Sequence, residues 1–346
     1  MLGVYENIKL EALCATVSKE RVSVADRCSH LMTEQKVKRL TKNTGICHLS
    51  IADECLCTSD FCQHSAEVLF SDFVNRNEIG ALIFISQTAD YLTPATSYYL
   101  QQRLNLPNDI MAFDVNLGCS GFVYGLCLAG SLLSVMGKRK VLLCVGDTSS
   151  RNAYPQDAGL FSIAGDAGAA VVIEKNKTKS RRMFFNIDSY GERADMLLVA
   201  RGGYRAPRLT ENGHISNIQE NYCNMDGLGV MDFSLRDVPD NIERLLEYAE
   251  CKKENVDIAL LHQANKMIVS FLCDKLEISK EKAPFICSDI GNTSSASIPV
   301  CLSELKRLGQ YSSYNVALMS GFGVGMSIAS VITDISDMKV LETEEI

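Results

Sequence analysis

The chain has no tryptophan, only five histidines, and no run of 18 or more apolar residues. The last of these absences excludes a membrane-spanning helix of ordinary length. Positive charge is also scarce: 34 Lys and Arg stand against 42 Asp and Glu, a formal net charge of −8. A nucleic-acid binder carries the opposite balance, so that class is disfavoured. No low-complexity linker interrupts the chain. The opening MLGVYENIKLEALCATVSKE lacks a basic start followed by an apolar block, and no signal peptide is read there. What is present is 346 residues with 47% hydrophobic and 22% charged side chains, enough for a globular protein of two typical domains.

The fourteen cysteines are dispersed through apolar runs such as VLLCVGD and GLCLAGS. That pattern suits reduced, mostly buried thiols in the cytoplasm rather than a disulfide framework. One stretch, CHLSIADECLCTSDFCQH, gathers Cys47, His48, Cys55, Cys57, Cys62 and His64 within 18 residues. It lacks paired CxxC knuckles, and TSD at 58–60 reads as a helix N-cap, so no metal is expected.

Strand and helix patterns alternate along most of the chain. Residues 79–86, 111–116, 141–146 and 169–173 are short apolar runs of strand length, separated by helical stretches around 94–104 and 121–136. Strands apolar on both faces and alternating with helices predict a covered, largely parallel sheet. The second half repeats the plan, with strands expected at 256–261, 284–288 and 315–319. The spacing agrees: Cys119 to Gly137 and Asn292 to Gly309 span 18 and 17 residues, and Ser86 to Cys119 and His262 to Asn292 span 33 and 30. A period near half the length reads as internal duplication, with halves at 1–178 and 179–346. Residues 181–235 are less regular and read as an excursion that shapes a pocket. The tail DMKVLETEEI is acidic and expected to fray.

Three positions could carry chemistry. In DVNLGCSGFVYGLCLAGSLL, Cys119 sits where a strand turns into a buried helix, and a helix N-terminus favours a thiolate. In LLHQANKMI, His262 ends a strand, where parallel α/β folds place catalytic groups. In SDIGNTSSASIP, Asn292 occupies the turn that the repeat makes equivalent to Cys119. Each has an ordinary reading: a core cysteine, a structural histidine, an N-cap. Duplication, however, brings the three strand ends together as a nucleophile flanked by two donors. The glycine turn SGFGVGMSIAS adds amides that could hold an oxyanion.

GCSGFVYGL, HQAN, GNTSSASIP and GFGVG, in this order and spacing, resemble the β-ketoacyl-acyl-carrier-protein synthase III family of the thiolase superfamily. TGI at 44–46, SQTADYLTP and GDAGAAVV add to the likeness, which runs from about residue 35 to 333. The resemblance implies a five-layer αβαβα fold, a homodimer and decarboxylative Claisen condensation. On it, Cys119 carries the acyl group, and His262 and Asn292 stabilise the enolate formed from a malonyl unit. The amides of Cys119 and Val324 would form the second oxyanion hole. Gly323, Gly325 and Asn265 would contact substrate, and no metal or other cofactor is required. Residues 91–99 would line the acyl tunnel or the dimer contact.

The chain departs from that pattern at the coenzyme A mouth. Arg39 stands where family members that prime on acetyl-CoA stack the adenine on tryptophan. Cys47, Ala158, Leu228 and Met267 replace an arginine, a second arginine, an asparagine and a surface arginine. An acyl donor delivered by an acidic acyl carrier protein, or a place in a specialised pathway rather than bulk fatty-acid initiation, is therefore expected. The carrier protein would dock on Arg39, Lys266 and Arg205, with Lys36, Lys38, Lys42, Arg201 and Arg208 as further candidates. Three other readings are weaker. An acyltransferase to a hydroxyl or amine would not need Asn292. A true thiolase would carry a second cysteine in the glycine turn. A non-catalytic partner subunit would have lost the nucleophile.

Overall fold

The structure is a computed structural model that describes residues 1–137, 139–176, 181–208 and 215–346. Strands β1 (Leu2–Glu6) and β2 (Ile8–Val17) open the chain. A small two-stranded sheet of β3 (Arg21–Ser23) and β4 (His48–Ser50) brackets helices α1 (Val24–Arg27) and α2 (Glu34–Thr44). Then follow α3 (Thr58–Asp72), β5 (Ile79–Ile85), α4 (Thr96–Arg103), β6 (Met111–Val115) and α5 (Gly121–Val135). Strand β7 (Lys140–Thr148), the short α6 (Ala158–Phe161) and β8 (Asp166–Lys175) complete the first half. The second half begins with β9 (Arg182–Ser189) and the paired β10 (Leu197–Val199) and β11 (Cys223–Met225). It continues through α7 (Gly227–Tyr248), β12 (Ile258–Leu261), α8 (Lys266–Leu276) and α9 (Ser297–Arg307). Strands β13 (Ala317–Gly323), β14 (Ser327–Thr333), β15 (Lys339–Val340) and β16 (Glu344–Glu345) close the chain.

Two mixed sheets result. One has the order β15-β2-β8-β7-β5-β6, with β16 also on β2, and the other β1-β9-β14-β13-β12. In each, a parallel pair (β5 with β7, β12 with β13) adjoins an antiparallel one (β7 with β8, β13 with β14). Strands β5, wholly apolar, and β13, apolar but for Ser320, are buried along their whole length because helices cover both faces. Helices α5 and α9 lie between the sheets, α3 and α4 on the outside of the first, and α7 and α8 on the outside of the second. This is the expected five-layer αβαβα arrangement. Helix α5 is apolar nearly all round because it has no solvent face, and Phe122, Leu126 and Leu133 are fully buried between the sheets.

The expected boundary between residues 178 and 179 lies outside the described residues. The strand expected at 284–288 does not form. Pro284 has no amide to donate, and the Gln263 side chain takes two of the segment's backbone groups, donating to the Pro284 carbonyl at 3.2 Å and accepting from the Ile286 amide at 3.0 Å. The cap expected at 58–60 moves one residue: Cys57 caps α3, with Asp60 returning a bond to the Cys57 amide at 2.6 Å.

The tail is not frayed. The Leu341 amide bonds the Leu13 carbonyl at 2.9 Å, Ile346 and Val17 join at 3.1 Å, and the Lys19 amide bonds the Ile346 carbonyl at 2.8 Å. Arg21 also pairs with Glu345 at 2.7 Å. The chain's two ends are thus exchanged: β1 extends the sheet of the second half, while β15 and β16 extend that of the first. Deleting residues 339–346 is expected to lower Tm by about 5 °C or more; an unchanged thermal transition would show that the pairing contributes nothing in solution.

Candidate active site

Strand β6 ends at Val115, and the chain turns through residues 116–120 before α5 begins at Gly121. Cys119 lies in that turn, below the surface but opening onto a cavity of about 510 Å³. Its sulfur is 4.0 Å from the Ser294 hydroxyl and accepts a hydrogen bond from the Val324 amide. The loop after β13 passes directly over the thiol. Gly323 has φ of 150°, and a Cβ there would stand 2.8 Å from Cys119 Sγ, so only glycine fits. Burial pushes the Cys119 thiol up to about 11, against the pull of the Val324 amide. This direction runs against the expectation of a thiolate set by the helix end: loss of hydration outweighs the Val324 amide.

His262 follows β12 and extends its pairing, with its amide bonding the Ser320 carbonyl at 2.8 Å. The ring is buried edge-on against Phe322, centroids 5.4 Å apart, and burial pulls its pKa down to about 3. Nδ1 is held at 2.7 Å by Ser297 Oγ in the first turn of α9. A serine hydroxyl donating there leaves a neutral ring with its proton on Nε2.

Asn292 precedes α9 as Cys119 precedes α5, the equivalence expected from the repeat. Its backbone is clamped to the first half, donating to the Ile163 carbonyl at 2.7 Å and accepting from the Gly165 amide at 3.0 Å. Its side-chain oxygen accepts the Ser294 amide at 2.9 Å. That bond fixes the amide's orientation and leaves the NH₂ without a partner among the described residues. Cys119, His262 and Asn292 all line the one cavity.

Sequence reasoning missed Asp147, at the C-terminal end of β7. One carboxylate oxygen accepts the Gln87 amide at 2.7 Å and the Ser86 hydroxyl at 3.1 Å; the other accepts the Ser295 hydroxyl at 2.9 Å. Burial raises its pKa, and these donors oppose the shift. Asp147 thereby ties the loop after β5 to the turn carrying Asn292, across the two halves. The signal was an acid ending the apolar run VLLCVGD. Ser297 was also missed, since serine in the first turn of a helix is unremarkable by pattern.

The other expected residues divide. Val324, Gly323 and Asn265 line the cavity, while Gly325 does not. Asn265 is also the cap of α8, its side-chain oxygen accepting the Ile268 amide at 2.9 Å. The excursion does shape the pocket: β10, β11 and the start of α7 form an apolar wall with Leu197, Met225 and Val230. None of residues 91–99 lines the cavity of the single chain. Among the docking candidates, the stem of Lys266 packs over Gly45, at the end of α2, and so brings Lys266 to the helix that carries Arg39. Both are exposed and form no ion pair among the described residues, whereas Lys38 pairs with Glu34 and Arg201 with Glu220. Arg205 sits apart, in the turn between Gly203 and Ala206. The 47–64 cysteines and histidines find separate partners: His48 pairs with Asp289 and Cys55 with Asp53. No group of three or more His, Cys, Asp or Glu able to hold a metal occurs among the described residues.

Comparison with known proteins agrees with this architecture. Residues 113–191 match the family described as 3-oxoacyl-[acyl-carrier-protein (ACP)] synthase III, and residues 246–335 match its C-terminal part. A β-ketoacyl-[acyl-carrier-protein] synthase III of Lactobacillus helveticus is 30% identical over 331 residues, 95% of this chain and 98% of the relative. The crystal structure of a 3-oxoacyl-(acyl-carrier protein) synthase from Burkholderia xenovorans LB400 superposes with a TM-score of 0.93 at 30% identity, covering 100% of this chain and 99% of the other. A 3-oxoacyl-(acyl carrier protein) synthase III from Pseudomonas aeruginosa PAO1 gives a TM-score of 0.83 at 25% identity over 95% and 98% of the two chains.

Proposed function

The chain belongs to the 3-oxoacyl-[acyl-carrier-protein] synthase III family of condensing acyltransferases, and on that premise we propose that Cys119, His262 and Asn292 are its catalytic residues. The observation that supports the assignment is their convergence on one cavity, Cys119 from the turn after β6, His262 from the end of β12 and Asn292 from the turn before α9. The Cys119 sulfur attacks an acyl thioester; the carbon–sulfur bond to the donor breaks, and the departing thiolate takes the thiol proton. A malonyl thioester then enters and loses carbon dioxide. Its enolate oxygen is met by the neutral His262 Nε2–H and the Asn292 NH₂, two donors that need no reorganisation. The enolate carbon attacks the acyl-Cys119 carbonyl, whose developing charge faces the Cys119 and Val324 amides; the carbon–sulfur bond to Cys119 then breaks, the 3-oxoacyl thioester leaves, and the Cys119 thiolate takes a proton from water. The free Asn292 NH₂ favours condensation over simple transfer to a hydroxyl or amine, which has no use for a second enolate donor.

The acyl donor in this reading is a carrier protein. Leu228 and Met267, at the mouth where family members bind coenzyme A, are exposed apolar side chains that offer phosphate nothing. Arg39 and Lys266 supply unpaired positive charge beside that mouth for an acidic partner, with Arg205 as a further contact. The chain works as a homodimer: β6 is a sheet edge, and Met111, Tyr91, Leu92 and Tyr98 leave apolar surface exposed next to it. All fourteen cysteines are free, which suits the cytoplasm.

Intact mass after mixing with a short acyl group tests this directly, delivered once on carrier protein and once on coenzyme A. The expected result is an acyl adduct from the carrier and little from coenzyme A, with no adduct on Cys119→Ala. Equal labelling by coenzyme A would overturn the carrier preference. No adduct from either donor would overturn the nucleophile.

A further inference from the structure

We propose that the acyl group accepted on Cys119 bears a neutral substituent that both donates and accepts hydrogen bonds, a hydroxyl or an amide, rather than being a plain alkyl chain. This rests on the reading of Cys119 as the acyl carrier. Strands β7, β5 and β6 lie side by side and parallel, so their carboxyl ends open onto the cavity together. The loops that follow them present Ser149 and Asn152, Gln87, and Asn116 respectively, and all four line the cavity. None of these four side chains has a hydrogen-bond partner among the described residues. The Gln87 carboxamide lies hard against Gly118, where a Cβ would collide with its oxygen. Polar capacity is thus placed one residue from the nucleophile.

An alkyl chain against this wall would strip hydration from three carboxamides and a hydroxyl and replace none of their bonds. A charged acyl group fits no better. Among the described residues no lysine or arginine lines the cavity, so an anion finds no counter-charge there. Asp147 is the lining carboxylate, and both of its oxygens are already engaged by Ser86, Gln87 and Ser295. Amide and hydroxyl side chains that can each donate and accept match a neutral group of the same kind.

The test is competitive loading of the intact protein from one carrier protein bearing butanoyl, 3-hydroxybutanoyl or 3-acetamidobutanoyl groups, read as mass adducts on Cys119. At least one substituted acyl group is expected to load about tenfold or more faster than butanoyl, and the two substituted arms separate hydroxyl from amide. In the Gln87→Leu, Asn152→Leu double variant, butanoyl loading should rise and the ratio fall to about twofold or less. Butanoyl loading as fast as both substituted groups would overturn the proposal while leaving Cys119 as the acyl carrier; so would a ratio unmoved in the double variant. Absence of every adduct would overturn the reading of Cys119 itself and the proposal with it.

Discussion

Replacing Asn292 with alanine is expected to lower carbon dioxide release from a malonyl thioester by about 300-fold, while acyl loading on Cys119 falls by less than about tenfold. The reason is that, in the proposed mechanism, only the enolate step uses the Asn292 NH₂. Alanine also removes the acceptor of the Ser294 amide, so the turn itself could be blamed for the loss. Asn292→Asp separates the two causes. Aspartate keeps an oxygen in position for the Ser294 amide but has no NH₂, and its charge opposes an enolate. If the donor matters, aspartate is as defective in decarboxylation as alanine. If the turn matters, aspartate is close to the parent enzyme. Radiolabelled carbon dioxide and intact mass, measured on the same preparations, give the two rates, and recovery by aspartate would remove Asn292 from the chemistry.

Cys119 and His262 stood out in the sequence because each follows a short apolar strand, and Asn292 because turns write themselves in glycine, asparagine and serine. Their convergence was legible because the two halves share one spacing. What pattern could not show were contacts between halves. Asp147 reads as a strand-ending acid until the Ser295 hydroxyl is found on it. The tail reads as polar and loose because its strands borrow all their partners from β2, more than 300 residues away, and polar edge strands have no sequence period of their own. The expected 284–288 strand failed for a related reason. Its apolar character was real, but a side chain, Gln263, took the place of a neighbouring strand. For Cys119, a helix N-terminus is visible in sequence, whereas the burial that raises the thiol is not.

That burial leads to the second large effect. With the Cys119 thiol raised to about 11, the thiolate is a small minority at neutral pH and its fraction grows as pH rises towards that value. Alkylation of Cys119 by iodoacetamide, followed on its own peptide, is therefore expected to accelerate about tenfold per pH unit, or about 100-fold between pH 7 and 9. His262, held down near 3 by burial, is neutral throughout that range and should introduce no inflection. A helix-stabilised thiolate would give the opposite result, a rate already level above pH 7. The distinction bears on how the enzyme spares its nucleophile. A protonated thiol resists oxidation and stray electrophiles between turnovers, and in the proposed mechanism becomes reactive when a thioester places its carbonyl at the Cys119 and Val324 amides. The thiol proton then has a departing thiolate to receive it. A level profile would instead mean that the resting site already holds the charge, and that the Val324 amide and the helix together overcome the burial of Cys119.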